Sequence, residues 1–299
     1  MDKVKAWIQA SRLPSQSYIF FPILLGMGLY GFVTGNRISL GFAVLAQLYG
    51  LFLQLYIVYA NDYADADIDG ANTTYNIFSG GSRVIPEGKL TRKELGRGAI
   101  LVIVLNVVLG IVLLVTQTRP LALPLILVSF LLLWMYSFPP VKLSYRGGGE
   151  FLQVLGVGVV LPLMGWTMQA GDLAGFPWHW LLFIIPLDIA ASFTTTIPDE
   201  PSDRAANKLT FSARFGYQPI MVTVISLYLV GLVGFLVFSG FSFLVSGLGL
   251  VVPLALWLGL FFYLKDSAPG TKNCTLFVTF AVAVKVLWTA IAGVMTFLV

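Results

Sequence analysis

Two acidic clusters are the groups in this chain whose types and spacing could do chemistry. The first is Asn61-Asp62-Tyr63-Ala64-Asp65-Ala66-Asp67-Ile68-Asp69, which begins where a long apolar segment stops, and the second is Asp199-Glu200-Pro201-Ser202-Asp203. In a chain only 11% charged, carboxylates at the ends of apolar segments are costly unless a cation or a partner is bound there. The two clusters therefore read as halves of one site.

If the segment before Asn61 is a helix that continues past Ala60, Asp62, Asp65 and Asp69 are spaced by three and four residues and share a face, with Asp67 off that stripe. Asp199 and Asp203 are four apart, and Pro198 and Pro201 predict a kink or break between them and the preceding helix, as is common where backbone lines a polar cavity. A single histidine, His179, and a single cysteine, Cys274, exclude a multi-histidine metal site and an internal disulfide. A metal here is held by oxygen, which points to Mg2+ or a similarly hard cation.

Basic residues complete the set. Arg83 ends the segment Ser79-Gly80-Gly81-Ser82-Arg83, and Lys142, Tyr145 and Arg146 lie in the loop from Phe138 to Glu150. Carboxylates alone suit a bare cation, whereas carboxylates with metal, Arg and Lys suit a diphosphate. The competing reading is that the acids cap helices or sit in solvated loops and the bases only orient the chain. It weakens for the set, because like charges on one helix face destabilise it without a counter-ion.

Two motifs match in part. Asp65-Ala66-Asp67-Ile68-Asp69-Gly70 begins like an EF-hand calcium loop, but its twelfth position is Asn76 where a bidentate Glu is needed. An alcohol phosphatidyltransferase signature fails at Thr73 and Thr74.

The elements that must position these residues are apolar. Of 299 residues, 58% are hydrophobic, and the mean hydropathy is +0.87. The chain is expected to be an all-α integral membrane protein forming one domain over residues 1–299. Spans of roughly 20 residues give about nine transmembrane helices, centred on 17–33, 41–60, 99–116, 121–137, 151–167, 180–197, 219–238, 243–264 and 275–299. The segment after Arg12 is read as a first span and not as a cleaved signal.

The net charge is +4, but the bases are scattered in short loops, which fits orientation in a bilayer and not nucleic acid. Arg83, Lys89, Arg92, Lys93 and Arg97 follow the second span, Lys142 and Arg146 the fourth, Arg204, Lys208 and Arg214 the sixth, and Lys265 and Lys272 the eighth. Positive-inside bias then puts the N-terminus and the even loops in the cytoplasm and the C-terminus outside, with the cell inner membrane as the expected location. Both acidic motifs follow even spans and emerge on that one face.

Inside the spans, Gln47, Gln54 and Asn61 recur every seven residues as an interior stripe. Asp188 lies about three helical turns before Asp199, deep in the bilayer, as a functional candidate or as a protonated helix-to-helix hydrogen bond. Thr194, Thr195 and Thr196 bond either their own helix or a substrate, and His179 between Trp178 and Trp180 reads as an interfacial anchor.

Asn61-Asp62-x-x-Asp65-x-x-x-Asp69 together with Asp199-x-x-x-Asp203-x-x-x-x-Lys208-x-Thr210 resembles the paired motifs of the UbiA-type intramembrane prenyltransferases. The resemblance covers almost the whole chain and includes Arg214-Phe215-Gly216 after the second motif. It implies a ring of helices around a central, lipid-open chamber, Mg2+ at both motifs, a polyprenyl diphosphate donor and an aromatic acceptor. By carry-over, Asn61, Asp62, Asp65, Asp69, Asp199 and Asp203 are catalytic and the five aspartates among them hold the metal. Arg83, Lys142, Tyr145, Arg146, Lys208, Gln54 and Asp188 are the candidates for substrate contact.

The segments Gly80-Gly81-Ser82-Arg83 and Ser144-Tyr145-Arg146-Gly147-Gly148-Gly149-Glu150 resemble the 1,4-dihydroxy-2-naphthoate polyprenyltransferases of menaquinone synthesis. The dense run Asp65-Ala66-Asp67-Ile68-Asp69 resembles enzymes with other acceptors, and Thr195, Thr196 and Pro198 stand where the naphthoate enzymes often carry Asn-Asn and Arg. That leaves 4-hydroxybenzoate, homogentisate or a lipid alcohol open as acceptors. A cation-coupled transporter is the alternative from another class; it expects acids near the bilayer midplane, where only Asp188 lies.

Overall fold

The computed structural model describes residues 3–72, 75, 77–116 and 118–298. Among them there are helices and no strands. The N-terminal α1 (Lys3–Ala10) leads through a 3-10 turn (Leu13–Gln16) into α2 (Ser17–Thr34), followed by α3 (Leu40–Ala71), α4 (Arg92–Val115) and α5 (Ala122–Ser137). The short α6 (Leu143–Arg146) precedes α7 (Gly149–Val154), which winds on through a π-helical stretch (Leu155–Val160) into α8 (Leu161–Ala170). Then come α9 (Leu181–Thr196), the short α10 (Glu200–Ala205) and α11 (Phe211–Phe215), and finally α12 (Tyr217–Phe238), α13 (Phe243–Phe262) and α14 (Lys272–Leu298).

Local chemistry sets several of these limits. Thr91 and Glu94 bond reciprocally to each other's backbone N–H and start α4 with a capping box. Gly35 and Gly171 end α2 and α8 in the left-handed conformation, at φ 69° and 95°, which glycine adopts without a steric penalty. α9 stops at Thr196, and the chain restarts as α10 with Pro201 in its first turn, so the break expected from Pro198 and Pro201 is present.

Among the described residues eight helical segments are long and apolar enough to cross a membrane, and the 16-residue α5 packs against α4 and α7 as a shorter ninth rod. Val104, Val108 and Ile111 on α4 and Leu244, Leu248 and Val251 on α13 face outward. Such apolar outer surfaces are stable against lipid tails, and the helices satisfy their own backbone groups there. The chain is an integral membrane protein.

Each rod packs on the next, from α2 to α3 and onward through α4, α5, α7, α9, α12, α13 and α14, and α14 returns to α2 to close a ring. α2 and α8 make the most extensive contact across it. A Cβ on Gly26 of α2 would run into the backbone of Pro162 on α8, and one on Gly165 of α8 into the backbone of Ile23 and Met27. These two glycines let the helices touch main chain to main chain. The seam divides the interior into two packed lobes, one built from α1 to α5 with α8 and the other from α8 to α14 with α2.

Candidate functional site

α3 runs eleven residues beyond Ala60, to Ala71, so the first motif is helical and its carboxylates sort by face. Asp62 and Asp65 are 3% and 5% exposed, whereas Asp67 turns outward to an ion pair of 2.8 Å with Arg92. The sequence stripe is correct, including its exclusion of Asp67. Residues 65–70 being helix also removes the calcium-loop geometry; Thr73, Thr74 and Asn76, on which the two partial motifs turned, lie outside the described residues.

The second motif reaches the first from the end of α9. Asp203 is 2% exposed. The Lys208 ammonium stands 3.2 Å from Asp65 Oδ2 and 3.6 Å from Asp203 Oδ1, one cation shared between carboxylates of both motifs. Asn72 Nδ2 donates to Asp199 Oδ1 at 3.2 Å, and Thr210 Oγ1 donates to Asp203 Oδ2 at 2.9 Å. The two clusters are neighbours in space, four spans apart in the chain.

Tyr145 comes from α6. Its hydroxyl donates to Asp65 Oδ1 at 2.6 Å, and its ring has Lys142 Nζ 3.4 Å and Lys208 Nζ 5.4 Å from the centroid. Burial first, and the Asp65 charge second, raise its pKa above the ordinary phenol value. Tyr145 is a hydrogen-bond donor here and not a base. Arg146, by contrast, is exposed and has no ion pair among the described residues, so the structure does not bring it to the carboxylates.

The glycine-rich segment closes over the motifs. Gly80 and Gly81 are left-handed at φ 73° and 68°, and at Gly81 a side chain would collide with the Asp69 carboxylate. That close approach lets the Ser82 N–H and hydroxyl donate to Asp62 and the Gly80 N–H donate to Asp199. Arg83 Nη1 donates to the Asp69 carbonyl, and its guanidinium lies 4.1 Å from the Tyr75 ring centroid. Arg83 thus reaches the first motif through backbone.

Sequence reasoning missed Arg12. It pairs with Asp62 from 50 residues away, and its Nε is buried without a partner. No local spacing signals this, because the 3-10 turn after Arg12 sets its direction. Gln54 lies two turns before Asp62 and donates to Ser15 Oγ, and Asn61 is half-buried beside Asp62. Asp188 has a partner that the sequence reading did not supply, Lys285 on α14 at 2.7 Å. Thr194, Thr195 and Thr196 each donate to a carbonyl of their own helix. His179 and Trp178 are exposed, as an interfacial anchor requires.

Burial, followed by the Asp203 charge, pushes the Asp199 carboxyl up to about 7. Burial also raises Asp203. It works against the Lys208 ammonium, but Asp65 and Asp203 outweigh it and hold that group well above its ordinary value. Among the described residues no three carboxylate, imidazole or thiol groups are gathered tightly enough to enclose a metal ion as they stand. The positive charge between them comes from Arg12 and Lys208. The donor set itself, hard carboxylate oxygen atoms from both motifs, fits Mg2+.

The model of the UbiA prenyltransferase family matches residues 19–284. The chain belongs to the UbiA prenyltransferase family. A digeranylgeranylglyceryl phosphate synthase of Korarchaeum cryptofilum (strain OPF8) is 26% identical over 229 residues, 76% of this chain and 74% of the relative. Among solved structures, a UbiA homologue from Archaeoglobus fulgidus bound to GPP and Mg2+ superposes with a TM-score of 0.71 at 16% identity, covering 98% of this chain and all of the other. An apo UbiA homologue from Aeropyrum pernix K1 gives 0.67 at 16% identity, covering 94% and 98%. Membership makes the chain a member of a prenyltransferase family and does not favour the transporter alternative. The curated relative is named for a lipid product, which leaves the naphthoate subtype of the UbiA family unconfirmed.

Proposed function

We propose that this UbiA-family protein, as one domain over residues 1–299, transfers a polyprenyl group from an isoprenyl diphosphate to an aromatic acceptor, with 1,4-dihydroxy-2-naphthoate in menaquinone synthesis as the leading candidate. The observation that carries it is Lys208 shared between Asp65 and Asp203, which makes one site of two motifs and gathers Arg12, Tyr145 and Arg83 around it. The Archaeoglobus homologue bound to GPP and Mg2+ supports the donor class and the metal. The site is assigned to the cytoplasmic face of the inner membrane, with the C-terminus outside, from the loop bases.

Asp62, Asp65, Asp69, Asp199 and Asp203 would hold Mg2+, which when bound neutralises the diphosphate. Arg12 and Lys208, released from their carboxylates, turn to the diphosphate oxygens, and Tyr145 donates its hydroxyl hydrogen bond to the charge that grows as they leave. The allylic C1–O bond breaks with its electron pair going to the diphosphate. A ring carbon of the acceptor forms the new C–C bond to C1, and the ring proton passes to a diphosphate oxygen, restoring aromaticity. Apolar helix faces exclude water from the allylic cation meanwhile.

A second reading follows from the Korarchaeum relative's name: the acceptor is a lipid glyceryl phosphate whose hydroxyl is alkylated. Membranes containing the protein, Mg2+ and labelled polyprenyl diphosphate are offered dihydroxynaphthoate, 4-hydroxybenzoate, homogentisate and geranylgeranylglyceryl phosphate, and products are identified by mass. A prenylated naphthoate is the expected product. A glyceryl ether as sole product assigns the second reading.

A further inference from the structure

Below the carboxylates lies a charged feature that the diphosphate chemistry leaves unused. Asp188 on α9 and Lys285 on α14 pair at 2.7 Å, each 3% exposed. Asp188 is eight residues from the end of α9 at Thr196, roughly 12 Å of helix, which places the pair well inside the membrane. Ionisable groups at that depth are rare and mark function by default.

The pair has unpartnered polar neighbours. An ammonium carries three N–H donors, yet the hydrogen bond of Lys285 Nζ among the described residues is to Asp188 Oδ2 alone. The Tyr18 hydroxyl on α2, within electrostatic range of Asp188, is buried with no partner. Trp288, whose ring centroid is 5.6 Å from Lys285 Nζ, buries its indole N–H with no partner. Tyr228, also near, is satisfied by the Ala281 carbonyl at 2.8 Å. The Tyr18 hydroxyl, the Trp288 indole N–H and the remaining N–H groups of Lys285 can each donate to an acceptor oxygen. The backbone is shaped for the pair as well: the π-helical stretch sets Gly158 against Asp188, where a Cβ would stand 3.0 Å from Oδ2, and π turns recur at functional sites.

We propose that Lys285, held by Asp188 with Tyr18 nearby, binds a carboxylate or hydroxyl oxygen of the acceptor's aromatic head. The site rests on the prenyltransferase reading and narrows its acceptor.

The test uses the full-length protein in lipid nanodiscs, as wild type, Tyr18→Phe, and the double variant Asp188→Asn with Lys285→Met, which leaves no unpaired charge. Steady-state KM is measured separately for dihydroxynaphthoate and for polyprenyl diphosphate, together with the shift in melting temperature that dihydroxynaphthoate causes without donor or Mg2+. The expected result is an acceptor KM raised about tenfold in the double variant and about threefold in Tyr18→Phe, sizes typical of charged and neutral hydrogen bonds, with donor KM unchanged and the acceptor-induced shift reduced. Acceptor KM unchanged in Tyr18→Phe overturns the site even if the double variant fails to fold. So does a parallel change in both KM values and in the unliganded melting temperature, the mark of a structural pin. Wild type that turns over no aromatic acceptor overturns the aromatic-acceptor reading on which the site rests, whereas normal wild-type turnover with indifferent variants overturns the Lys285 site alone.

Discussion

The carboxylates at the mouth and the ion pair in the interior neutralise charge in opposite ways. At the mouth, Asp62, Asp65, Asp69, Asp199 and Asp203 outnumber the cations Arg12 and Lys208, and Lys208 is shared between two of them. In the interior, Asp188 and Lys285 match one to one. The surplus of negative charge is tolerable only where a soluble divalent cation can arrive, so the mouth is a site that exchanges counter-ions. The interior pair has no such supply and must be neutral as folded.

The comparison breaks most severely if the surplus carboxylates prove dispensable. Asp62→Ala or Asp199→Ala is expected to lower prenyl transfer by about a thousandfold or more, the scale of lost charge stabilisation at a transition state, while the protein still inserts and elutes as a folded species. Full Mg2+-dependent turnover by either purified variant would sink the two-motif site. Next in size, Lys285→Met alone leaves the Asp188 carboxylate buried without a partner and is expected to destabilise by about 3–5 kcal/mol. The double variant with Asp188→Asn should recover most of that loss in thermal unfolding; equal melting temperatures for the two would deny that the pair is private.

A smaller effect concerns pH. With its folded carboxyl at about 7, Asp199 is protonated below that pH and cannot take a cation, so Mg2+ competes with a proton. The Mg2+ concentration that half-saturates the melting-temperature increase should rise about tenfold from pH 8 to pH 6, one pKa unit of occupancy. In the absence of metal the sign is opposite: a folded value above the unfolded one means that this group's contribution to stability is complete at low pH and is lost as pH rises through 7. A half-saturation independent of pH would show that Asp199 is already ionised at pH 6. The smallest effect is expected at Asp67, which points away from the site to Arg92; Asp67→Ala should leave turnover intact and shift stability by no more than about 0.5 kcal/mol.

Much of the scaffold was legible because it depends on neighbours in sequence. The lengths of the apolar runs gave the spans, helical spacing put Asp62, Asp65 and Asp69 on one face with Asp67 outside it, and Pro198 and Pro201 marked the break before α10. Arg146 was expected at the site from its place beside Tyr145, but α6 is one turn long, and adjacent residues in a helix point about 100° apart.

What the sequence by itself determined is the set of helices and the carboxylates that face inward, since periodicity and hydropathy are local quantities. Only the tertiary structure decided which cation meets which carboxylate: Arg12 with Asp62 across 50 residues, Lys208 with Asp65 across 143, and Lys285 with Asp188 across 97. It also decided that α2 crosses the ring to touch α8 through Gly26 and Gly165. Apolar helix faces resemble one another in composition, so their pairing is set by shape, where a missing side chain admits a backbone, and by charge, where a buried ion needs its partner.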